Sequence, residues 1–421
     1  MKVTLINTSD AGGGAPVACM RLLKALRLKQ VDAGMLVQEK KTNDPAVKVI
    51  GIGWPGRLKA AFDFFYERIP FILFKAKNKS LRFAFSTANV GTDISDNQEI
   101  LNADILHLHW TNFGYLSIND LKKLFNAGKP VVWTLHDMWA FTGGCHYSGG
   151  CDHFINHCGD CWMLRDADEH DLSFTGWTRK MDMFKHTKNV VFVTCSHWLA
   201  NVARTSSLLK DFRIETIPNP IDTTIFLPKD KATAREKWHI AADAKIILFG
   251  AANIMDRRKG ITYLVDALAE LKKNYPEQNI EIVIFGKNKF FDVSMLPFKV
   301  HELNLISSQD DLVDLYSLAD VFVTPAIEDN LPNTVMEALA CGTPVVAFNI
   351  GGIPDMVEHR RNGYLAEFKS PADFAAGIHY VLNTENKAEL AINARKKVLD
   401  NFTNEIVAEK YMDLYQTILN K

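Results

Sequence analysis

Residues 325–352 read PAIEDNLPNTVMEALACGTPVVAFNIGG, and they decide the fold class of this chain. They follow one short apolar run, Val321–Thr324, and contain a second, Val345–Phe348. Between the two runs lie a polar loop and a segment with helical spacing that starts near Thr334. Strand, loop, helix and strand in this order form the unit of a parallel sheet that helices cover on both faces. The stretch therefore predicts an open parallel α/β sheet.

The same alternation recurs in two series along the chain, on either side of a proline-rich joint at residues 217–222. Proline fixes φ and lacks an N–H donor, so this joint is a linker and not an element of a sheet. We predict two Rossmann-like, doubly wound domains that face a cleft, residues 1–218 and 219–400. An amphipathic helix at 401–421 is expected to pack back on the first domain. The other predicted strands are Lys2–Thr8, Ala33–Gln38, Asp104–His109, Val131–Leu135, Val190–Cys195, Lys245–Phe249 and Ile280–Phe285.

The composition is that of a folded globular protein of 421 residues, 47% of them hydrophobic and 23% charged. The 48 basic residues balance 49 acidic ones, so the chain lacks the excess of positive charge that nucleic-acid binding requires. Its N-terminus carries no apolar core of signal-peptide length, and no window reaches 18 uninterrupted apolar residues. These features predict a cytoplasmic enzyme with no nucleic-acid partner.

The polar loop after Val321–Thr324 carries two acids, Glu328 and Asp329, and the helix that follows carries Glu337. Ligands of open parallel sheets bind beyond the carboxyl ends of the strands, where carboxylates accept hydrogen bonds from sugar hydroxyls. The alternative for Glu337 is structural, because Thr334-x-x-Glu337 matches a capping box. The residues alone leave both interpretations open.

The ordered set of motifs over the whole chain resembles retaining glycosyltransferase family 4, of the bacterial surface-polysaccharide type. The set comprises Gly12–Gly14 after the first strand, residues 134–137 (TLHD), 217–219 (IPN), 258–260 (RKG), Asp329-x7-Glu337, and Ala338–Val346 (ALACGTPVV) followed by Gly351-Gly352. The resemblance implies the GT-B fold, in which two Rossmann-like domains hold a nucleotide sugar.

The resemblance also assigns roles to individual residues. Glu337 is expected to bind the nucleotide ribose, Asp329 the donor sugar, Lys259 the leaving diphosphate, and His136 to face the donor sugar. No cofactor is implied for catalysis. The remaining donor-binding candidates are Gly13, Gly14, Asn253, Arg258, Gly286, Glu328, Asn330, Leu331, Pro332, Asn333 and Thr334.

Two positions depart from the family pattern. The first acid of the usual pair of glutamates is Asp329, directly preceded by Glu328, so either can be the acting carboxylate. The usual Gly-Arg pair, which supplies a second phosphate cation, reads Gly250-Ala251-Ala252-Asn253. Arg257 or Arg258 is the candidate replacement for that cation, and Asn253 the candidate neutral donor.

Four cysteines are grouped in an insert at residues 143–162, with the spacing Cys145-x5-Cys151-x6-Cys158-x2-Cys161. Four thiols in 17 positions supply the ligands of a tetrahedral structural zinc site. The alternative is a group of reduced thiols without a metal. The other three cysteines, Cys19, Cys195 and Cys341, lie in helix or strand contexts typical of the core.

Residues 54–85 combine nine aromatic residues with seven basic and two acidic ones. This composition favours contact with an anionic membrane surface or a lipid-phosphate substrate. The alternative is a helix pair that covers the N-terminal sheet, with solvated lysines.

Taken together, the sequence predicts a hexosyltransferase that moves a sugar, with retention, from a nucleoside diphosphate sugar to a hydroxyl of a saccharide or lipid-linked saccharide. Capsule, O-antigen or exopolysaccharide synthesis is the expected setting, at the inner face of the membrane. The alternative is a catalytically silent GT-B scaffold that binds carbohydrate in an assembly complex. A nicotinamide oxidoreductase is disfavoured, because Gly12-x-Gly14-x-x-Val17 lacks the third small residue of that fingerprint.

Overall fold

The structure is a computed structural model that describes residues 1–51 and 53–420, without the side chains of Phe74 and Lys79. It divides into two compact units. The N-terminal unit comprises Met1–Asn219 together with the chain from Val407 onward, and the C-terminal unit comprises Pro220–Ile406. Each unit contains one parallel sheet flanked by helices, which confirms the predicted class of two doubly wound α/β domains.

The sheet of the N-terminal unit has seven strands in the order β3-β2-β1-β4-β5-β6-β7. Every pairing in it is parallel, and the central strands are buried on both faces because helices cover each side. The strands are β1 (Lys2–Ser9), β2 (Asp32–Glu39), β3 (Val47–Val49), β4 (Ile105–Leu108), β5 (Val131–Leu135), β6 (Val190–Thr194) and β7 (Ile214–Thr216).

Among the described residues, six α-helices of this unit precede residue 219. Most begin at a residue whose side chain accepts a hydrogen bond from the first turn, as Ser117, Asp171 and Ser196 do. The helices are α1 (Gly14–Leu28), α2 (Gly53–Ile69), α3 (Gln98–Leu101), α4 (Ile118–Asn126), α5 (Leu172–Phe184) and α6 (His197–Thr205).

The sheet of the C-terminal unit has six parallel strands in the order β10-β9-β8-β11-β12-β13. Its strands are β8 (Lys245–Asn253), β9 (Ile280–Lys287), β10 (Lys299–Leu303), β11 (Val321–Thr324), β12 (Val345–Phe348) and β13 (Gly363–Ala366). Its helices are α7 (Lys231–Lys237), α8 (Ile261–Asn274), α9 (Gln309–Leu318), α10 (Asn333–Ala340), α11 (Pro371–Asn383) and α12 (Lys387–Asn401).

The last helix, α13 (Asn404–Leu419), packs from Val407 onward against the sheet of the N-terminal unit, as the sequence predicted. Its apolar residues join the core formed by β1, β2 and α1. Two of its tyrosines also enter the polar interior. The Tyr415 hydroxyl lies 2.7 Å from His107 Nδ1, and the Tyr411 hydroxyl 2.9 Å from Thr134 Oγ1. Among the described residues, no helix combines the length and apolarity needed to cross a membrane.

Candidate active site

The carboxyl edge of the C-terminal sheet contains the point where the strand order reverses, between β8 and β11. Ligands of doubly wound sheets bind at such points. The loops after the two strands are in contact, since the Ile327 amide donates to the Arg258 carbonyl over 2.8 Å. Gly260 permits this approach, because it has a φ of 71° and a Cβ there would lie 1.9 Å from the Pro325 carbonyl oxygen.

An ion pair joins the two loops. Lys259 Nζ, at the end of a 3-10 turn (Arg257–Lys259), donates to Asp329 Oδ2 over 2.6 Å. The other oxygen of Asp329 accepts the Asn330 amide over 3.0 Å. Asp329 is only 7% exposed, so water has little access to its carboxylate. The structure thus brings together the residue expected to neutralise a diphosphate and the residue expected to bind the sugar.

Glu337 lies one and a half turns into α10 and is 6% exposed. Its Oε2 accepts a hydrogen bond of 2.8 Å from the hydroxyl of Tyr316 on α9. The capping alternative is wrong, because α10 starts after Pro332 and no side chain caps it. Glu337 is therefore held by a side chain of the neighbouring helix, in an orientation that capping does not explain.

The other donor-binding candidates of this unit lie on the same edge of the sheet. Asn253 is the last residue of β8, and its Oδ1 accepts the Met255 amide over 3.2 Å. Arg258 donates to Asp256 within its own turn, over 2.6 Å. The remaining candidates are Gly286 near the end of β9, with a φ of 135°, and Glu328, Asn330, Leu331, Pro332, Asn333 and Thr334 between β11 and the first turn of α10.

Gly13, Gly14 and His136 belong to the N-terminal unit. Gly13 is the N-cap of α1, and no side chain caps that helix. The first turn of α1 lies at the carboxyl end of β1, and the N-terminus of a helix is an electrostatically favourable place for an anion. This placement fits the role that the resemblance assigns to the two glycines.

His136 follows β5 and lies in a row of histidines. Its Nε2 is 3.0 Å from Nδ1 of His109, which follows β4. Burial lowers the pKa of His136 to about 4 and that of His109 well below its usual value. Both imidazoles are therefore neutral near pH 7, and they can donate or accept hydrogen bonds without carrying charge.

Asp137 is the next residue, and three groups fix it. Its Oδ2 accepts from the Trp110 indole over 2.9 Å and from His146 Nδ1 over 2.8 Å, and its Oδ1 accepts the Trp139 amide over 2.9 Å. Burial alone would raise the pKa of Asp137, but these three partners lower it below its ordinary value. Asp137 stays ionised and ties the end of β5 to the insert that carries His146.

Sequence reasoning missed several residues at the carboxyl edges of the two sheets. Tyr316 has no local motif, because only the packing of α9 on α10 brings it to Glu337. In the N-terminal unit, His109 Nε2, Thr111 Oγ1 and Asn112 Nδ2 are buried, and none has a hydrogen-bond partner among the described residues. Buried polar atoms in proteins are normally paired, so these three mark a place for a polar ligand or water. The signal was available in the sequence, since His109 is the last residue of the predicted strand Asp104–His109 and residues 110–112 (WTN) directly follow it.

Two family models match the chain. The model described as Glycosyltransferase Family 4 covers residues 12–225, and the model described as Glycosyl transferases group 1 covers residues 230–398. The first match spans just over half of the 421 residues. Together the two matches cover most of both units.

Among curated proteins, the chain is similar to N-acetyl-alpha-D-glucosaminyl L-malate synthase of Bacillus anthracis. The two are 24% identical over 326 residues, which is 76% of each protein. For three other relatives, two D-inositol 3-phosphate glycosyltransferases and an uncharacterised glycosyltransferase, the match spans 42 to 53% of their own length.

Two solved structures resemble the whole chain. HepE of Anabaena in complex with UDP and glucose has a TM-score of 0.63 and 16% identity, covering 99% of this chain and 100% of that one. WaaG, a glycosyltransferase involved in lipopolysaccharide biosynthesis, has a TM-score of 0.64 and 15% identity, covering 98% and 99%. At these identities the likeness shows the fold, while the match over residues 12–225 shows the family. The chain therefore belongs to glycosyltransferase family 4 and is a glycosyltransferase with the GT-B fold.

Proposed function

We propose that the protein moves a hexosyl unit from a nucleoside diphosphate sugar to a hydroxyl of a saccharide, with retention of the anomeric configuration. The observation that carries this proposal is the joint presence of the Lys259–Asp329 pair and the Tyr316-bound Glu337 at the carboxyl edge of the C-terminal sheet. These groups match the three parts of such a donor. Glu337 accepts from the ribose hydroxyls, Lys259 neutralises the diphosphate, and Asp329 accepts from the sugar hydroxyls.

In the proposed reaction the acceptor oxygen forms a bond to the anomeric carbon while the bond from that carbon to the β-phosphate oxygen breaks. The acceptor attacks on the face that the leaving group occupies, and the departing phosphate oxygen takes the acceptor proton. No side-chain nucleophile takes part. Rate enhancement then comes from positioning and from charge stabilisation of the diphosphate, chiefly by Lys259.

The three buried polar atoms that follow β4 support a saccharide site in the N-terminal unit. His109, Thr111 and Asn112 lie within four residues of one another, and their side chains include donors and an acceptor. Hydroxyl groups both donate and accept, so a sugar can satisfy such a mixed set. We propose that His136, hydrogen-bonded to His109, faces the same sugar.

We further propose that the acceptor is lipid-linked and that the protein works at the cytoplasmic face of a membrane. The support is helix α2, whose polarity is inverted relative to an ordinary surface helix. Asp63, Glu67 and Arg68 are buried. The exposed large apolar residues of the helix are Trp54, Leu58, Phe62, Phe65 and Tyr66.

Polar contacts on the inner side of α2 fix this orientation. The Glu67 carboxylate accepts the Ala88 amide over 2.9 Å, and the guanidinium of Arg68 lies 4.5 Å from the centre of the Phe64 ring. The aromatic stripe therefore faces outward, with Phe65 72% exposed. Exposed basic residues flank it, among them Arg57 and Arg82, and such a surface suits anionic lipid.

The donor site is tested by thermal unfolding of the full chain with UDP-glucose, UDP-N-acetylglucosamine and GDP-mannose, beside Glu337→Gln. UDP-sugars come first because HepE, a protein of similar fold, is solved in complex with UDP and glucose. UDP-N-acetylglucosamine is included because the Bacillus anthracis relative is named N-acetyl-alpha-D-glucosaminyl L-malate synthase. A donor at 100 times its Kd adds about 2.7 kcal/mol of stability. We expect one donor to stabilise the protein and Glu337→Gln to weaken that effect. No response from folded protein to any donor would favour the silent scaffold.

The membrane contact is tested by co-sedimentation with vesicles of phosphatidylcholine, with and without phosphatidylglycerol. We expect binding only to the anionic vesicles, and its loss in the triple variant Trp54→Ser, Phe62→Ser, Phe65→Ser. Phe290→Ser is the matched control, since Phe290 is an exposed phenylalanine of the other unit. Equal sedimentation of wild type and triple variant would contradict the role of α2.

A further inference from the structure

The four cysteines of the insert line one small cavity of the N-terminal unit, between β5 and α5. The cavity has a volume of about 20 Å³, enough for one water-sized occupant. Its other polar lining residues include Ser148 and His153. His153 Nδ1 donates to the Gly159 carbonyl over 2.8 Å, which leaves its Nε2 as a further ligand atom. Four of the ligand groups that line the cavity are therefore thiols.

A backbone amide donates to one of the sulfur atoms. The Gly143 amide donates to Cys158 Sγ over 3.0 Å. Hydrogen bonds of this kind stabilise a sulfur atom that carries negative charge, as a metal-bound thiolate does.

A buried lysine lies beside the cluster. Lys180, on α5, is 1% exposed, and its Nζ donates to the Thr142 carbonyl over 2.9 Å and also to that of Trp139. Among the described residues, no carboxylate lies within ion-pair distance of it. Burial lowers the pKa of Lys180 to about 7, and negative charge on Cys158 or Cys145 raises it. Four thiolates on one divalent ion carry a net charge of two minus, which would stabilise the ammonium form of this lysine.

The four sulfur atoms are not close enough together to form a closed tetrahedron. Among the described residues, Asp310, Asp311 and Asp314 form the one group in which three possible metal ligands of His, Cys, Asp or Glu lie within 4.8 Å of one another. That acidic group already has cationic partners, because Lys229 and Lys237 form ion pairs with it. Ligation by the cysteines requires their thiols to turn into the cavity that they share.

We propose that Cys145, Cys151, Cys158 and Cys161 bind one zinc ion in a structural site. With four protein sulfurs the coordination sphere is complete, so the ion has no open position for catalysis. Binding turns four thiols into thiolates and releases their protons to solvent. The resulting charge of two minus is then partly compensated by Lys180.

The ion would fix the insert to two other parts of the N-terminal unit. Cys145 forms a β-bridge with Phe85, and Cys161 packs in the same small core as Phe85 and Phe71. The neighbour of Cys145, His146, binds Asp137 at the end of β5. The site therefore supports both the segment that carries α2 and the edge of the sheet where His136 lies.

The test is the metal content of the purified full chain, prepared with reducing agent and without a metal-affinity step. We expect one zinc ion per chain by plasma mass spectrometry and its loss in Cys158→Ser/Cys161→Ser. Cys341→Ser, which alters a buried cysteine of the other unit, should retain the ion. Because the double variant can fail to fold, zinc release from the wild type by a mercurial thiol reagent is followed with a coloured chelator. Removal of the ion should also lower the Tm.

Three results would overturn the proposal. The first is folded wild-type protein without zinc that also fails to bind added Zn²⁺ or Co²⁺, the latter judged by sulfur-to-cobalt absorption. The second is a disulfide within the cluster, found by mass spectrometry after alkylation of the non-reduced chain. The third is iron with inorganic sulfide in place of zinc, which would identify an iron–sulfur cluster.

Discussion

Replacement of Lys259 by methionine separates the structural role of its ion pair with Asp329 from the catalytic role proposed for the lysine. The bond removed is a charged hydrogen bond of 2.6 Å, and such bonds contribute about 1.5–3 kcal/mol to folding stability. Asp329 is then left almost buried, with the Asn330 amide as the remaining donor. We expect Lys259→Met to lower the free energy of unfolding by about 2 kcal/mol, and Asp329→Asn in the same chain to restore part of it.

The catalytic effect should be larger and should not be restored. Loss of a donor that stabilises developing charge lowers kcat by about 10²–10³-fold, or about 2.7–4 kcal/mol of barrier. The assay is release of nucleoside diphosphate from the donor that stabilises the wild type, with urea unfolding measured in parallel. Lys273→Met is the matched control, because Lys273 is exposed near the end of α8.

Two outcomes would refute this reasoning. Turnover of Lys259→Met within about twofold of wild type would show that no developing charge depends on Lys259. Full recovery of turnover in Lys259→Met/Asp329→Asn would show that the lysine acts only by neutralising Asp329. If Lys259→Met reduces kcat but leaves the free energy of unfolding unchanged, the proposed catalytic role of Lys259 stands and its structural role does not.

Two further predictions concern Tyr316, which contacts Glu337, and His136, which follows β5. Tyr316→Phe removes the hydroxyl that donates to Glu337, so the Kd for nucleotide, measured by calorimetry, should rise about tenfold. Thr343→Val is the control, because it breaks only a hydrogen bond to the Tyr316 carbonyl and should leave the Kd nearly unchanged. Equal effects of the two variants on the Kd would contradict an orienting role of Tyr316. The pKa of His136 is about 4 in the folded chain, below the ordinary value near 6.5, so the unfolded chain binds more protons between these limits. Stability should therefore fall as pH falls from about 6.5 to 4, and His136→Asn should reduce that loss by about 1–3 kcal/mol relative to wild type. His170→Asn is the control, because His170 is exposed and its replacement should not change the loss of stability at low pH. Identical acid-unfolding curves for wild type and His136→Asn would count against the burial argument.

The sequence predicted the interior of both sheets and missed their edges. Val131–Leu135, Val321–Thr324 and Val345–Phe348 were located at their true bounds, because strands buried on both faces are continuous apolar runs. The four strands that were not predicted are the four edge strands, β3, β7, β10 and β13. Edge strands have one unpaired side and are often short or polar, as KVHEL in β10 is, so they lack that signal.

The candidate site shows the same division between local and long-range information. Strand-end reasoning placed Asp329 at a ligand-binding edge, and the family resemblance alone assigned Lys259 a role there; the structure joins the two in an ion pair. Tyr316 could not be found this way, since its contact with Glu337, 21 positions further on, arises from the packing of two helices. The inverted polarity of α2 was likewise hidden, because composition cannot tell which face of a helix is buried.

The return of α13 to the N-terminal unit has a consequence for the order in which the chain is made. A ribosome delivers the strands of that unit first, yet Tyr411 and Tyr415, which complete the hydrogen bonds of Thr134 and His107, emerge last. Between the first part of the N-terminal unit and these tyrosines lie the 187 residues from Pro220 to Ile406, which take about 10–40 s to synthesise at 5–20 residues per second. For that interval the part of the first sheet that α13 covers is open, and Thr134 and His107 lack their tyrosine partners. The nascent protein must therefore rely on other contacts, or on a chaperone, to shield that face until translation ends.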